Sequence, residues 1–252
     1  MNARQRLRYA RAMLMAQDRL NLKFGRVIAR ELRRVSKELA EAYALMQSIP
    51  DDISLRHSVN MQDILTDLAE QTGKKFLSID LQTSQPLDLP TYLEQQVIST
   101  LQQNALLVAP EIVSTTVATA SGVIAKGLED GLTPVEIAKA IGQRIGGSNA
   151  TARGMTIART EVGKAANTAT FERADKAADE LQDEIVVKYE WISTNDGRVR
   201  DDHKHANGQI IDRGEKFRVG GEKMRYPQDP RASAKNVVNC RCVMGVIVGE
   251  IE

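Results

Sequence analysis

Near Gln182 the spacing of apolar residues changes character, and this switch constrains the fold of the 252-residue chain more than anything else in it. Upstream, apolar side chains recur at three and four, the period that lines one face of an α-helix. Downstream they alternate or run in short β-branched stretches, as strands do. The chain is therefore read as α+β, with a helical N-terminal arm and body followed by a small C-terminal domain with an antiparallel β-sheet. Aromatic residues are only 4% of the chain, and the abundance of Ala, Leu, Val and Ile suits closely approaching helices better than broad sheets. At 42% apolar residues a core can close. The expected division is a helical region over 1–109 and an α+β domain over 110–252, with helices in 111–180 and the sheet in 185–250.

Leu20, Phe24, Val27, Ile28, Leu32, Val35, Leu39 and Tyr43 make one stripe on a long helix that must end before Pro50. A short second helix is expected over 61–72, with Gly73 just past its end. Pro86 and Pro90 mark a linker, and Thr91 with Glu94 has the spacing of a reciprocal cap. The helix it opens buries Leu93, Val97, Ile98, Leu101 and Ala105 and should stop or kink near Pro110. Helical spacing resumes over 111–128, and Gly131 can end it in the left-handed conformation. Thr133-Pro134-Val135-Glu136 combines a capping hydroxyl, a proline at the first helical position and a returning carboxylate, the strongest start signal in the chain. Ile137, Ile141 and Ile145 lie on one face of that helix, and Gly146-Gly147 end it. A last long helix over roughly 151–179 is rich in alanine, which allows tight helix contacts.

Ile185–Ile192 is β-branched and aromatic, and Asn195-Asp196-Gly197 is a turn signal after it. Phe217-Arg218-Val219, Gly220-Gly221 and Glu222-Lys223-Met224-Arg225-Tyr226 read as a hairpin with a two-residue turn. Residues 243–248 supply a last strand.

Charge is uneven along the chain. Lys and Arg against Asp and Glu number 11 to 4 over 1–50, 6 to 12 over 51–150 and 17 to 17 over 151–252. A basic N-terminal helix carrying Arg4, Arg6, Arg8, Arg11, Arg19, Arg26, Arg30, Arg33, Arg34 and Lys37 could meet DNA phosphates, an acidic partner or the acidic middle segment of its own chain. No run of eighteen apolar residues occurs and the N-terminus lacks a signal-peptide pattern, so neither a membrane span nor secretion is expected. Two cysteines are too few for a disulfide scaffold, and a reducing, intracellular place of synthesis follows.

Those two cysteines close the sequence Asn239-Cys240-Arg241-Cys242, and about forty residues upstream lies Asp201-Asp202-His203-Lys204-His205. On a strand, thiols two apart face the same side, so Cys240 and Cys242 with His203 and either His205 or Asp202 could complete a tetrahedral zinc site. The bland alternative is a histidine bonded to backbone beside two thiols acting as small buried hydrophobes. A third reading is a metal-dependent or nuclease-type enzyme acting on nucleic acid, with His203 as general base and Arg198 or Arg200 holding a phosphate. No Gly-rich phosphate loop, Gly-x-Ser-x-Gly elbow or His-Glu-x-x-His helix is present, so no catalytic residue and no small-molecule substrate are assigned. Arg159-Thr160-Glu161, inside the alanine-rich helix, is expected to dock that helix on the sheet.

Several separated motifs occur in a fixed order: Ile157-Ala158-Arg159-Thr160-Glu161, Trp191, Asp196-Gly197-Arg198-Val199-Arg200, His203 five residues before Gly208, Tyr226-Pro227 and Asn239-Cys240-Arg241-Cys242. Together, over roughly 110–245, they resemble the phage Mu F-like head morphogenesis family, the minor head (minor capsid) proteins of tailed phages. The resemblance implies a virion component made in the bacterial cytoplasm. It would act in procapsid assembly near the portal vertex, touching portal protein or inner capsid surface and contacting packaged DNA. Many members carry Cys-x-x-Cys where this chain has Asp202-His203-Lys204-His205, so the implied site is altered here.

Overall fold

The computed structural model describes residues 3–79, 88–181, 185–194 and 196–250. The elements are α1 (Ala3–Met46), α2 (Asp51–Leu77), α3 (Thr91–Glu129), α4 (Pro134–Ile145), α5 (Gly147–Glu180), β1 (Ile185–Ile192), α6 (Asp201–Ala206), β2 (Ile210–Asp212), β3 (Phe217–Val219), β4 (Glu222–Met224), α7 (Ala234–Val237) and β5 (Val243–Glu250). This is the expected α+β class. By contact the chain divides into two compact units that interleave along the sequence. One comprises 1–21, 68–101 and 159–252, the other 22–67 and 102–158. The boundary expected at 109/110 falls inside α3.

The second unit is helical. Val35, Leu39 and Tyr43 of α1, Ile53 of α2, Ala120 of α3 and Ile137, Ile141 and Ile145 of α4 form its buried cluster. The α1 stripe thus packs as its spacing predicts, each fully buried aliphatic contributing about 1.5–3 kcal/mol. Glycine holds these helices close. A Cβ on Gly154 would sit 2.8 Å from the Ala29 nitrogen and the Gly25 oxygen, so α5 and α1 meet backbone to backbone there. Glu31 and His57, each only 2% exposed, join at 2.6 Å, and Asn60 donates a second bond to the same carboxylate oxygen. At α4, Thr133 accepts from the Glu136 N–H while Glu136 accepts from the Thr133 N–H at 2.8 Å, with Pro134 in the first turn. This is the expected reciprocal cap.

Several helix boundaries differ from expectation. α2 starts directly after Pro50 and runs past Gly73, which is no terminator. A Cβ at 73 would lie 2.9 Å from Leu101 Cδ1, so this glycine admits α3. Thr91 is the first residue of α3 rather than its cap, and the Pro90 carbonyl accepts from the Leu93 and Glu94 N–H groups. Pro110 lies within α3, which continues through it; the proline forfeits one helical hydrogen bond, beside the exposed Leu106 and Leu107. α5 begins at Gly147, with only Gly146 between it and the end of α4, and the left-handed Gly147 (φ +53°) turns the chain there. Among the described residues α3 is the one helix long and apolar enough to cross a membrane by length and composition, and 22% of its most apolar stretch is buried. Its apolar residues form no unbroken run, because Gln102, Gln103, Asn104, Glu111 and the Ser and Thr residues over 114–121 interrupt them.

The first unit carries the strands. A three-stranded antiparallel sheet has the order β2-β1-β5, with Tyr189 opposite Ile211 on one side and Trp191 opposite Met244 on the other. β3 and β4 form the separate expected hairpin, pairing Phe217 with Met224. Its turn uses Gly220 and Gly221 at φ +55° and +84°, a conformation that glycine adopts without Cβ strain. The Tyr9 hydroxyl donates to the Met244 carbonyl at 2.7 Å, and Arg6 pairs with the buried Glu190 at 2.8 Å, so the start of α1 is bound to the sheet. Arg6 therefore finds its anion in the C-terminal third, not in the acidic middle segment.

Thr133→Ala removes the side-chain half of the α4 cap. It should lower stability by about 1 kcal/mol, measured as a fall in denaturant midpoint at unchanged slope.

Candidate functional site

The Asp201–Ala206 run forms the short helix α6. His203, 2% exposed, projects inward from it, its ring meeting Trp191 of β1 at right angles with centroids 5.5 Å apart. On the far side of the unit's sequence, Asn239 adopts φ +59° and turns the chain so that Cys240 and Cys242 enter the core just before β5. This turn is gripped from α5. Arg159 donates to Asn239 Oδ1 at 2.5 Å, and Thr160 Oγ1 accepts the Asn239 N–H at 2.9 Å. The expected docking role of Arg159 and Thr160 is realised through these hydrogen bonds, whereas Glu161 pairs with Lys164 on its own helix.

The result brings three of the four sequence-predicted ligands together. His203 Nδ1 lies 3.4 Å from Cys240 Sγ and 3.5 Å from Cys242 Sγ. The fourth, His205, is exposed and stands outside the group, because two residues along a helix point to nearly opposite faces. Asp202 turns to Lys235 at 3.2 Å and Asp201 to Lys204 at 2.9 Å. The imidazole therefore faces two sulfurs instead of a carboxylate, an arrangement suited to binding soft metals or to thiol chemistry rather than to an Asp-oriented general base. The two thiols are shifted in opposite directions. The Cys242 hydrogen bond, helped by His203, holds the Cys240 thiol well below its ordinary value, while the same contact and burial push the Cys242 thiol up.

The cysteines and His203 form the floor of a pocket of about 210 Å³ whose walls include Thr194, Arg198, Arg200, Asn239 and Arg241. Arg241 is locked to Asp196 by two bonds of 2.5 and 2.7 Å, and Asp196 also accepts the Arg198 N–H at 2.9 Å. These bonds lower the Asp196 carboxyl from 3.8 to about 2. Asn195, the first residue of the expected turn, lies outside the described residues. Asn207 accepts the Ser193 N–H at 2.9 Å and so ties the end of α6 to the end of β1.

Two supporting residues carry no signal in the motifs. Gln228, fully buried at φ +64°, donates to the Arg159 and Thr160 carbonyls, and Asn167 bridges the Cys242 carbonyl at 3.2 Å and the Met244 N–H at 3.0 Å. Gly163 makes room for the first: a Cβ there would lie 1.8 Å from Gln228 Oε1. A glycine four residues before an asparagine in an alanine-rich helix was the available hint, but small residues there suggest only tight packing.

A family model described as phage Mu protein F like protein matches residues 119–245, half of the chain. The chain belongs to the phage Mu F-like family. The match runs from inside α3 to β5 and takes in His203 and both cysteines, beginning slightly later than the resemblance over 110–245 suggested. The family is one of phage head morphogenesis. The Mu F-like chain is also similar to an NAD(+)–arginine ADP-ribosyltransferase, EFV, of Enterococcus faecalis, 31% identical over 128 residues that make up 51% of this chain and 25% of that one. It thus spans about a quarter of that relative's length. No solved structure matches.

The depressed Asp196 carboxyl gives a pH signature. Its pairing with Arg241 stabilises the fold fully above the ordinary carboxyl value of 3.8 and is lost as pH falls toward about 2. Thermal melts of wild type and Asp196→Asn should therefore differ at neutral pH and converge on acidification across that window. A difference that persists unchanged at the acid end would assign the effect to something other than this ion pair.

Proposed function

We propose that the chain is a minor head protein that acts in procapsid assembly near the portal vertex, binding portal protein or the inner capsid surface, with the basic face of α1 contacting packaged DNA. Membership of the Mu F-like family over residues 119–245 carries this reading. Two structural features support it. Exposed apolar residues on α3, Leu106 at 44% and Leu107 at 74%, offer apolar contact to a protein partner. Arg19, Arg26, Arg30, Arg33 and Lys37 recur along α1 at helical spacing and are all exposed, which places their charges on one side of the helix for a phosphate backbone. The transferase activity in the relative's name belongs to a protein about four times the length of the shared stretch.

Co-expression with the portal protein of the same genome tests the assembly role. The full chain should co-purify with portal, and Leu106→Lys with Leu107→Lys should weaken recovery at least several-fold while the helical signal is retained. Stable portal that never retains the wild-type chain would count against the proposal. For DNA, binding should fall steeply with salt, and Arg26→Glu with Arg30→Glu should weaken it and flatten the salt slope by about one unit for each phosphate the variant leaves unneutralised. A salt slope identical in wild type and variant would remove DNA from the reading.

A further inference from the structure

His203, Cys240 and Cys242 are all buried, and their donor atoms lie within 4.8 Å of one another. Hydrogen bonding alone accounts poorly for this convergence. His203 Nδ1 approaches both sulfurs, at 3.4 and 3.5 Å, yet that nitrogen has a single lone pair or a single proton and can serve only one thiol well. His203 Nε2 is buried without a hydrogen-bond partner among the described residues, so the polar contacts of the ring are all on the sulfur side. A cation at the centre of the triangle would satisfy the three donors together. With zinc–sulfur bonds of about 2.3 Å and a zinc–nitrogen bond of about 2.0–2.1 Å, a tetrahedral angle separates sulfur from nitrogen by roughly 3.5 Å, which is the spacing found here.

Charge and the surrounding hydrogen bonds agree with that. Two thiolates, a neutral imidazole and a divalent cation sum to zero, the form in which a buried site avoids the cost of an uncompensated charge. The Cys242 N–H donates to Cys240 Sγ at 3.4 Å, an interaction that favours a sulfur carrying negative charge. Among the described residues none supplies the fourth corner. His205 is outside the group, and the described pocket wall over the site contains arginine, asparagine, threonine and valine but no further thiol, imidazole or carboxylate.

We propose that His203 Nδ1, Cys240 Sγ and Cys242 Sγ bind a zinc ion whose fourth position opens into the arginine-walled pocket and holds a water molecule. Binding releases the thiol protons to solvent, and the metal links α6 to the segment leading into β5. The site joins two parts of the chain nearly forty residues apart, so the metal would stabilise the sheet-bearing unit as well as offer an open coordination site.

The full chain, expressed with added zinc and purified without chelator, should contain stoichiometric zinc by elemental analysis. X-ray absorption should show two sulfur and two lighter ligands. Replacing zinc by cobalt should give thiolate-to-cobalt charge-transfer bands with the intense visible bands of a four-coordinate centre. His205→Ala should keep the metal, while His203→Ala, Cys240→Ser and Cys242→Ser should each lose affinity by at least tenfold. Should those three variants fail to fold, the wild-type absorption and cobalt spectra decide alone, because they need no variant. Folded wild type with only trace zinc and no charge-transfer band, or His205→Ala losing metal as His203→Ala does, overturns the proposal. Neither result bears on portal or DNA binding, so the assembly role stands or falls separately.

Discussion

The grip of α5 on the turn at Asn239 is the interaction on which the candidate site depends. Asn239 sits in a left-handed conformation that costs a non-glycine residue about 1 kcal/mol or more, and the Arg159 guanidinium and Thr160 hydroxyl offset that cost by binding its side chain and its N–H. Once the turn is set, Cys240 and Cys242 arrive on the same side of the chain and face His203. Gln228 and Asn167 complete the hold from within the core. Each satisfies backbone groups that burial would otherwise leave unpaired, at a cost of about 1–3 kcal/mol apiece. The motifs in this part of the chain are thus mostly fittings for one turn, and the histidine and thiols are what the turn presents.

The helical unit is built on a different principle. Its core is apolar and its specificity comes from contact distance, with Gly25, Ala29 and Gly154 allowing backbones to meet where any larger residue would hold them apart. The buried Glu31–His57–Asn60 group is the polar exception. Such a group adds little net stability over an apolar core, but breaking it would strand a buried charge, so it favours one alignment of α1 against α2 over its neighbours. Rigid helices with exposed apolar and basic faces suit an assembly component, whose surfaces must meet other chains in fixed geometry.

Much of the fold was legible because it follows from local periodicity. The α1 stripe, the Thr133 cap, the Gly220-Gly221 turn and strands β1 and β5 each need only the neighbours in sequence to be recognised. The misreadings came where tertiary contact overrode a local rule. Gly73 reads as a terminator but is a contact residue for α3, Pro110 reads as a breaker but is carried through, and Asp202 and His205 read as ligands until α6 forms and rotates both away from the sulfurs.

From its residues alone the chain was committed to long helices followed by a small antiparallel sheet, since hydrophobic spacing dictates which backbone period can bury its side chains. The same residues marked His203, Cys240 and Cys242 as chemically able to meet. Whether they met, and without His205, depended on the rotation of a six-residue helix and on one left-handed turn held by a helix some eighty residues upstream. Side-chain direction at such places is set by packing between segments far apart in the chain, and no local pattern encodes it.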